Sequence, residues 1–321
     1  MTEEPRRGRR KNQRWVTVSR GVQRPVDDSR EHADLLAWQL LLPPDGGFTH
    51  LTGARIRGWW LPPVPSWLPV LACTPASAHR LRRPGLHVRR HRVDVGIEQV
   101  GGLRVASAAN VLLACARDLT LLDLVPLIDC ARHRGDCTEA AIAEVAATRR
   151  PGAPRLRQAL ELSDARAESA WESLLRLLHV CGRVAVEPQH EVFHDGVFVA
   201  RGDLWVRGPR LLQEYDGAHH LERPQQREDL GRSRRLVRAG WTRHGYTRED
   251  LLHDPASVLT PAYEALGRPT EPALGEALAR WRTLLRTSLL TPTGRRRLRD
   301  RLGSDESGHR VATHRPRQST S

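Results

Sequence analysis

The feature that most constrains the fold is a stretch in which two turns separate three strand-like segments. Asp195-Gly196 is typical of a two-residue type I′ hairpin turn, and Arg207-Gly208-Pro209-Arg210 predicts a second turn. Three consecutive strands joined by two tight turns form an antiparallel meander. The predicted strands run over 190–194, 197–206 and 211–215.

The second turn predicts a register that brings two carboxylates together. If Val206 pairs with Leu211, then Asp203 lies opposite Glu214, with Cβ atoms roughly 5 Å apart. Like charges in that position are destabilising, and a hard divalent cation such as Mg²⁺ is the obvious group to hold them. Asp216 continues the same face, because side chains alternate along a strand with period two.

The net charge of the chain is +14, from 51 basic and 37 acidic residues among 321. Such an excess points to a polyanionic partner, most simply nucleic acid. High-GC coding, which favours arginine, explains the same excess, since the chain uses arginine almost to the exclusion of lysine. Hydrophobic residues make up 39% of the chain, which is enough for a packed core and excludes a wholly disordered protein.

The cysteines and the apolar segments bear on location. The five cysteines are dispersed without any C-x-x-C pair, which argues against a disulfide framework and against a zinc ribbon. Met1 to Trp15 lacks the apolar segment of a secretory signal. The most apolar stretch, Trp59 to Thr74, is interrupted by four prolines, so we expect no membrane span. A cytoplasmic location fits these observations.

The sequence predicts a chain with two folded domains and two basic tails. Residues 1–15 and 291–321 are expected to be disordered, because they are basic and polar. Residues 16–162 are predicted to be a mixed, largely helical domain, with helices near 30–42, 48–60, 110–119, 121–132, 138–149 and 155–162 and strands near 68–73, 86–93 and 103–105, the last after a turn at Gly101-Gly102. Residues 163–268 form the second domain and 269–290 a C-terminal helix.

The second domain is expected to be α+β or α/β, with the order helix, three-strand meander, helix, strand, helix. Its elements outside the meander are predicted at 167–181, 224–239, 241–246, 256–266 and 274–289. Thr247-Arg248-Glu249-Asp250 resembles a capping box that begins a short helix.

Further polar residues occur where hydrolysis of a phosphodiester needs them. Glu172 lies on the helix before the meander, and His220 follows Glu214 by six residues. A metal ion polarises the phosphoryl oxygen and lowers the pKa of an attacking water. A histidine transfers protons well at neutral pH. Two carboxylates and a nearby histidine meet both needs.

These residues form an ordered pattern that resembles a known family. Glu172, Asp203, Glu214-Tyr215-Asp216-Gly217-Ala218-His219-His220, Asp229-x-x-Arg232 and Gly240-Trp241 are similar to an uncharacterised domain family related to the very-short-patch-repair endonucleases, within the restriction-endonuclease-like PD-(D/E)xK superfamily. The resemblance covers roughly residues 163–268. It implies a nuclease fold and activity on DNA, with double-stranded DNA as the expected partner.

The resemblance also implies roles for individual residues. Asp203 and Glu214 would bind Mg²⁺ or Mn²⁺, and Glu172, Asp216 and His220 would support the site or transfer protons. The lysine of the wider superfamily is absent, because Asp216 occupies its position. This substitution leaves the role of Asp216 open.

The first domain is more distantly similar to abortive-infection-type antitoxins. The similarity is carried by Phe48-Thr49-His50-Leu51-Thr52-Gly53-Ala54-Arg55, by Gly58-Trp59-Trp60-Leu61-Pro62 and by Leu103-Arg104-Val105-Ala106-Ser107. It implies a module that binds DNA or a partner.

Two functions from different classes follow. The first is a metal-dependent DNA endonuclease with a recognition domain in front, acting in DNA repair or in defence against foreign DNA. The second is a non-catalytic DNA-binding regulator or antitoxin-like protein that keeps the nuclease fold. For Glu214, the alternative to a metal ligand is a structural salt bridge to Arg201 or Arg232, since a buried carboxylate needs a partner. The sequence does not determine the oligomeric state.

Overall fold

The computed structural model describes residues 5–8, 15–26, 30–217 and 223–303. Helices and three sheets alternate along these residues, which confirms the α+β class. Among the helices of this described part, none is long and apolar enough to cross a lipid bilayer.

A small sheet and one helix begin the chain. The sheet has the strand order β1-β3-β2 and is antiparallel. Its short first strand corrects part of the predicted N-terminal tail, because Arg6 and Arg7 pair with Gln23 and Val22. The remainder of that tail lies largely outside the described residues. The elements are β1 (Arg6–Arg7), β2 (Trp15–Ser19), β3 (Val22–Pro25) and α1 (Arg30–Gln39).

A mixed five-stranded sheet follows, with the order β6-β5-β4-β8-β7. The helix predicted at 48–60 is shorter than expected, because Phe48 belongs to a buried strand and pairs with Ala72 and Val105. The strand before the turn at Gly101-Gly102 was not predicted. The elements are β4 (Gly47–Phe48), α2 (His50–Ile56), β5 (Val70–Pro75), β6 (Leu86–His91), β7 (Ile97–Val100) and β8 (Leu103–Ala106).

Four helices follow, which pack on α2 and on one another and lead into the second half of the chain. All four were predicted, with ends that differ by at most three residues. α4 is apolar around most of its circumference, which explains why nearly all of its residues are buried. The helices are α3 (Ala108–Asp118), α4 (Leu121–His133), α5 (Glu139–Ala146) and α6 (Ala153–Glu161).

The second half contains a helix, a three-strand meander, a helix and a fourth strand, in the predicted order. The sheet order is β12-β11-β10-β9, and β12 runs parallel to β11 while the other pairs are antiparallel. The elements are α7 (Ala170–Cys181), β9 (Val186–His194), β10 (Val197–Val206), β11 (Leu211–Tyr215), α8 (Arg223–Arg238), β12 (Thr242–Tyr246), α9 (Arg248–His253), α10 (Pro255–Ala265), α11 (Ala273–Arg286) and α12 (Pro292–Gly303).

Both predicted turns of the meander are present. His194 pairs with Val197 across the first turn. Asp195 and Gly196 both have positive φ, 49° and 77°, as a type I′ turn requires. Val206 pairs with Leu211 across the second turn, so the predicted register is confirmed.

One hydrophobic core extends across the predicted domain boundary near residue 163. The same cluster of buried residues includes Leu127 of α4, Leu178 of α7 and Trp281 of α11. Polar contacts join the same elements, because Asp129 of α4 accepts hydrogen bonds from Ser173 and Arg176 of α7. The two halves therefore pack as neighbours through α4 and α7.

The predicted C-terminal tail is wrong at its start. Residues Pro292–Gly303 form α12, and Leu298 and Leu302 of this helix are buried in the main core. The arginines around these leucines dominate the composition and conceal an i, i+4 apolar pair. Residues 304–321 lie outside the described part of the chain.

Candidate functional site

The candidate site lies where β10 and β11 are paired, beside α8 and the first turn of α7. The confirmed register ends at Leu204 opposite Gln213, which puts Asp203 and Glu214 at the next position along the two strands. Asp203 Oδ2 accepts a hydrogen bond of 2.9 Å from the backbone N–H of Tyr215. The two carboxylates predicted to face each other are therefore brought together.

Asp203 is a partly buried carboxylate in a negative environment. Its pKa is raised to about 7, first by burial, then by the negative charge of Glu172, with a smaller contribution from Glu214. The hydrogen bond from Tyr215 and the charge of Arg232 act in the opposite direction without cancelling this effect. Asp203 therefore holds a proton far more readily than an ordinary aspartate, and its ionised form lacks a full counter-charge.

Glu172 is the neighbour that affects Asp203 most, and the local structure holds it in place. Ser169 caps α7 by accepting a hydrogen bond of 3.1 Å from the Glu172 N–H. Glu172 Oε2 accepts hydrogen bonds from the N–H of Glu168 at 2.8 Å and from Gln189 Nε2 at 2.9 Å. The side chain is buried. Glu172 is therefore a fixed member of the site and not a solvated helix residue.

Gln189 reaches Glu172 from an unusual backbone conformation. Its φ of 54° lies in the left-handed region, although the residue is within strand β9. Residues other than glycine seldom adopt such a φ, and strained positions are concentrated at functional sites. Periodicity in the sequence predicted neither the conformation nor the contact, because both depend on the neighbouring helix.

Glu214 is bound by two arginines. Arg232 of α8 donates to Oε1 at 2.5 Å and to Oε2 at 3.0 Å, and Arg243 of β12 donates from Nε to Oε2. The Glu214 side chain is only 4% exposed. The salt bridge to Arg232 that the sequence left open is therefore present. Arg201, the other partner considered, instead pairs with Glu168 at 2.8 Å.

Asp216 is exposed and shares one of these arginines. Its Oδ1 lies 2.7 Å from Arg243 Nη2. Gly245 of β12 leaves the room for it, because a Cβ atom there would lie 1.7 Å from Asp216 Oδ2. Arg243 thus binds two carboxylates, Glu214 within β11 and Asp216 just after the end of that strand.

Arg243 is the site residue that the sequence reasoning missed. The sequence indicates only that it lies within a strand, 241–246. One signal in the sequence points to it. A charged residue in a strand that runs parallel to a buried strand needs a partner for its charge. Which carboxylate it meets depends on the register of β12 with β11, where Arg243 pairs with Leu212.

His220, to which the resemblance assigns proton transfer, lies outside the described residues, as does the side chain of Asp229. The three neighbouring arginines of α8 after Arg232 are exposed and make no ion pair with described residues: Arg234, Arg235 and Arg238.

The residues present suit a hard divalent cation in their donor chemistry, since carboxylate oxygens are its usual ligands and Asp203 lacks a counter-charge. Glu172 and Asp203 each have a second oxygen that accepts no hydrogen bond from described residues. Within the described part of the chain, however, no three His, Cys, Asp or Glu side chains are grouped closely enough to hold a metal ion. In addition, both oxygens of Glu214 accept hydrogen bonds from arginines, which occupy the positions that a cation would use.

Comparisons with known proteins add little to this geometry. No family model matches the chain, and no solved structure matches it. The chain is 28% identical over 181 residues to the uncharacterized protein MT2308 of Mycobacterium tuberculosis strain CDC 1551 / Oshkosh and, to the same extent, to the uncharacterized protein Rv2248 of strain ATCC 25618 / H37Rv. These regions cover 55% of this chain and 67% of each relative. The chain is thus similar to mycobacterial proteins to which these names assign no function.

Proposed function

We propose that this protein is a metal-dependent DNA endonuclease that hydrolyses phosphodiester bonds in double-stranded DNA, in DNA repair or in defence against foreign DNA. The observation that carries the proposal is the environment of Asp203, whose charge is opposed by burial, by Glu172 and by Glu214. Perturbed carboxylates of this kind are concentrated at functional sites. The resemblance to very-short-patch-repair endonucleases supports the same assignment.

In this proposal Asp203 and Glu214 bind Mg²⁺ or Mn²⁺. The cation would polarise the scissile phosphate and lower the pKa of a water molecule. Glu172 orients the site through its bond from Gln189, and Asp216 holds Arg243 at the edge of the site. Proton transfer by His220 remains a prediction from the resemblance.

The basic charge of the chain supports DNA as the substrate. The net charge is +14, and the exposed arginines Arg234, Arg235 and Arg238 lie on the same helix as Arg232. Backbone phosphates are neutralised by such residues, which makes binding depend on salt. A cytoplasmic location remains a prediction that rests on the sequence.

The test is cleavage of plasmid and of single-stranded DNA by the full chain, with Mg²⁺ or Mn²⁺ and with EDTA. We expect nicking or linearisation of plasmid with metal, none with EDTA, and at least a hundredfold lower rate for Asp203→Asn, in the range expected when a group that stabilises the transition state is removed. The matched control is Asp195→Asn, an exposed aspartate in the turn of the same hairpin, which should cleave as wild type does. Cleavage that persists in EDTA or in Asp203→Asn would overturn the assignment.

The second candidate is a non-catalytic DNA-binding regulator. One observation favours it: both oxygens of Glu214 already accept hydrogen bonds from arginines. Binding to a duplex that weakens steeply with salt, with no cleavage under any metal condition, would support this candidate in place of the nuclease.

A further inference from the structure

A dense positive cluster lies outside the candidate site, where the last described helix packs on the first half of the chain. Five of the twelve residues of α12 are arginine, and Asp300 is the one acidic residue of this helix. Leu298 and Leu302 are buried and fix the helix on the main core. Four of its arginines are exposed: Arg296, Arg297, Arg299 and Arg301.

Two of these arginines line a small cavity together with an arginine of another helix. The cavity has a volume of about 90 Å³, and its lining includes Arg297 and Arg301 of α12 and Arg155 of α6. The pKa of the Arg155 guanidinium is lowered, first by burial and then by the charges of Arg301 and Arg297. Three like charges are therefore held close together, which costs free energy unless an anion lies between them.

Two of the three arginines donate to backbone carbonyl oxygens at the end of α3. Arg155 Nη1 donates to the Leu119 oxygen at 2.9 Å, and Arg301 Nη1 donates to the Asp118 oxygen at 3.2 Å. Arg297 makes no hydrogen bond or ion pair with any residue that the structure describes. A carbonyl oxygen carries no full negative charge, so these contacts do not neutralise Arg155 or Arg297.

Two aspartates also line the cavity, and other groups already bind both of them. Asp118 Oδ2 accepts a hydrogen bond from Arg89 Nη2 at 2.8 Å. Asp123 Oδ1 accepts from Ser288 Oγ at 2.6 Å, and its Oδ2 accepts from Thr120 Oγ1 at 2.8 Å. With Arg89 included, four guanidinium groups face two carboxylates, so an anion at the cavity meets a net positive charge.

The positive charge continues beyond the cavity, toward β6 and the segment before α6. The pKa of His91 at the end of β6 is lowered to about 4, first by burial and then by the charge of Arg150, with Arg117 among the smaller contributors. Asp118 is a neighbour of both Arg117 and Arg155. The arginines around His91 therefore adjoin those around the cavity.

Together these side chains form a surface, here called the arginine face, that consists of Arg117, Arg150, Arg155, Arg297 and Arg301. Four of them form no ion pair within the described ranges: Arg117, Arg150, Arg155 and Arg297. A surface longer than the cavity suits a polymer of phosphates, since one small anion would engage only a part of it. Both leucines of α12 are buried, so the helix lacks the exposed apolar side with which amphipathic helices enter a lipid surface.

We propose that the arginine face binds the phosphate backbone of the DNA substrate, with one phosphate held between Arg155, Arg297 and Arg301. DNA as the partner rests on the proposed function. Guanidinium groups bind phosphate oxygens in a forked manner. A water molecule fills about 30 Å³ in the liquid, so a cavity of about 90 Å³ admits the free oxygens of a backbone phosphate.

The test measures DNA affinity as a function of salt. Fluorescence anisotropy of a labelled duplex of about 20 base pairs, two helical turns, is recorded in EDTA between about 50 and 200 mM salt for full-length wild type, Arg297→Gln and Arg117→Gln. Both side chains are exposed, so their removal should leave the fold intact, which circular dichroism and thermal unfolding verify. The matched control is Arg282→Gln, which removes one exposed arginine of α11.

Each phosphate contact that is lost should lower the salt dependence by a fixed amount. We expect the slope of log affinity against log salt to be smaller by about 0.9 in Arg297→Gln and in Arg117→Gln, and by about 1.8 in the double variant. Affinity should fall equally for duplexes of unrelated sequence, because backbone phosphates carry no sequence information. Arg282→Gln should bind as wild type does. In cleavage with metal, KM should rise in Arg297→Gln while kcat is unchanged, since only binding is lost.

Slopes and affinities of Arg297→Gln and Arg117→Gln equal to those of Arg282→Gln would overturn the inference; if wild type still cleaves DNA with metal, the proposed function stands. Equal duplex affinity in all variants, with inorganic phosphate raising the melting temperature of wild type and not of Arg297→Gln, would identify a site for a small anion and overturn the inference as well. Reduced slopes in both variants, without cleavage under any metal condition, would support the arginine face while the proposed nuclease activity fails.

Discussion

Asp129 and Asp203 are two aspartates withdrawn from solvent, and the fold surrounds them in opposite ways. Asp129 is fully buried and accepts hydrogen bonds from Ser173 Oγ at 2.6 Å, Arg176 Nη2 at 2.6 Å and the Asp164 N–H at 2.8 Å. Asp203 accepts one hydrogen bond from described residues and faces two carboxylates. Burial raises the pKa of both carboxyl groups, but Asp129 joins α4 to α7 through three donors, whereas Asp203 is left with one.

This difference separates a structural carboxylate from a functional candidate. A buried charge that has partners on every side contributes to the specificity of packing, as Asp129 does for the two halves of the chain. A carboxylate that is poorly compensated reduces stability unless something binds to it. The following variants test whether the two aspartates differ in this sense.

The largest effect is expected for Asp129→Ala. Arg176 is only 7% exposed, and removal of the Asp129 carboxylate leaves its charge buried without a partner. The free energy of unfolding should therefore fall by about 3–5 kcal/mol. Urea unfolding at neutral pH measures the change. Asp300→Ala, which removes an exposed aspartate of α12, is the control and should change stability by less than about 0.5 kcal/mol. A loss below about 1 kcal/mol for Asp129→Ala would show that this network is not structural.

Asp203→Asn should instead raise the free energy of unfolding at neutral and higher pH. The folded chain holds the Asp203 proton with a pKa of about 7 against an ordinary value of 3.8, so folded protein binds more protons than unfolded protein between these values. Stability therefore falls as pH rises through this window. Because Asp203 is partly exposed, we expect a loss of about 2 kcal/mol, roughly half of what the full shift would give.

The Asp203→Asn variant has no carboxyl group to titrate at this position, so it does not lose stability in this pH window. In EDTA it should match wild type near pH 4 and exceed it by about 2 kcal/mol above pH 7. Urea unfolding at several pH values measures the difference between the two proteins, in which the other titrating groups cancel. An asparagine variant that is less stable than wild type at pH 8 would mean that Asp203 is a structural residue of the same kind as Asp129.

Ser288→Ala tests another polar link between the two halves of the chain, and its expected loss of stability is smaller. Ser288 Oγ donates a hydrogen bond of 2.6 Å to Asp123 Oδ1 in α4, which also accepts from the Leu289 N–H at 3.0 Å. The remaining partner limits the cost to about 1–2 kcal/mol in urea unfolding. Thr283→Ala, on the exposed side of α11, is the control and should cost less than about 0.5 kcal/mol. A cost equal to that of the control would show that this hydrogen bond adds nothing to the stability of the junction.

Gly245→Ala is expected to have the smallest effect on stability, below about 1 kcal/mol, because the new Cβ displaces only the flexible Asp216 side chain. It should nevertheless lower the rate of DNA cleavage, since Asp216 then no longer holds Arg243. Gly275→Ala, whose Cβ meets no atom within 4 Å, is the control and should leave the rate unchanged. Equal rates for both variants would remove Asp216 from the proposed site.

Local sequence was enough to predict the meander. The strands at 197–206 and 211–215 are observed with these bounds, because turn residues and period-two alternation act over a few neighbours. The strands at Trp15–Ser19, Val22–Pro25 and Ile97–Val100 were missed, since short strands carry little periodic signal and depend on partners elsewhere in the chain. α12 was missed because its arginines concealed two buried leucines.

The sequence by itself determined which carboxylates meet. The turn at 207–210 sets the register of β10 with β11, and that register brings Asp203 beside Glu214 through contacts between near neighbours. Only the tertiary structure decided how their charges are compensated. Glu172 arrives from α7, Arg232 from α8 and Arg243 from β12, and no local pattern predicts which of these distant side chains reaches which oxygen. Electrostatic compensation in a folded chain depends on long-range packing, and here that packing concentrates the positive charge on Glu214 and leaves Asp203 with too little.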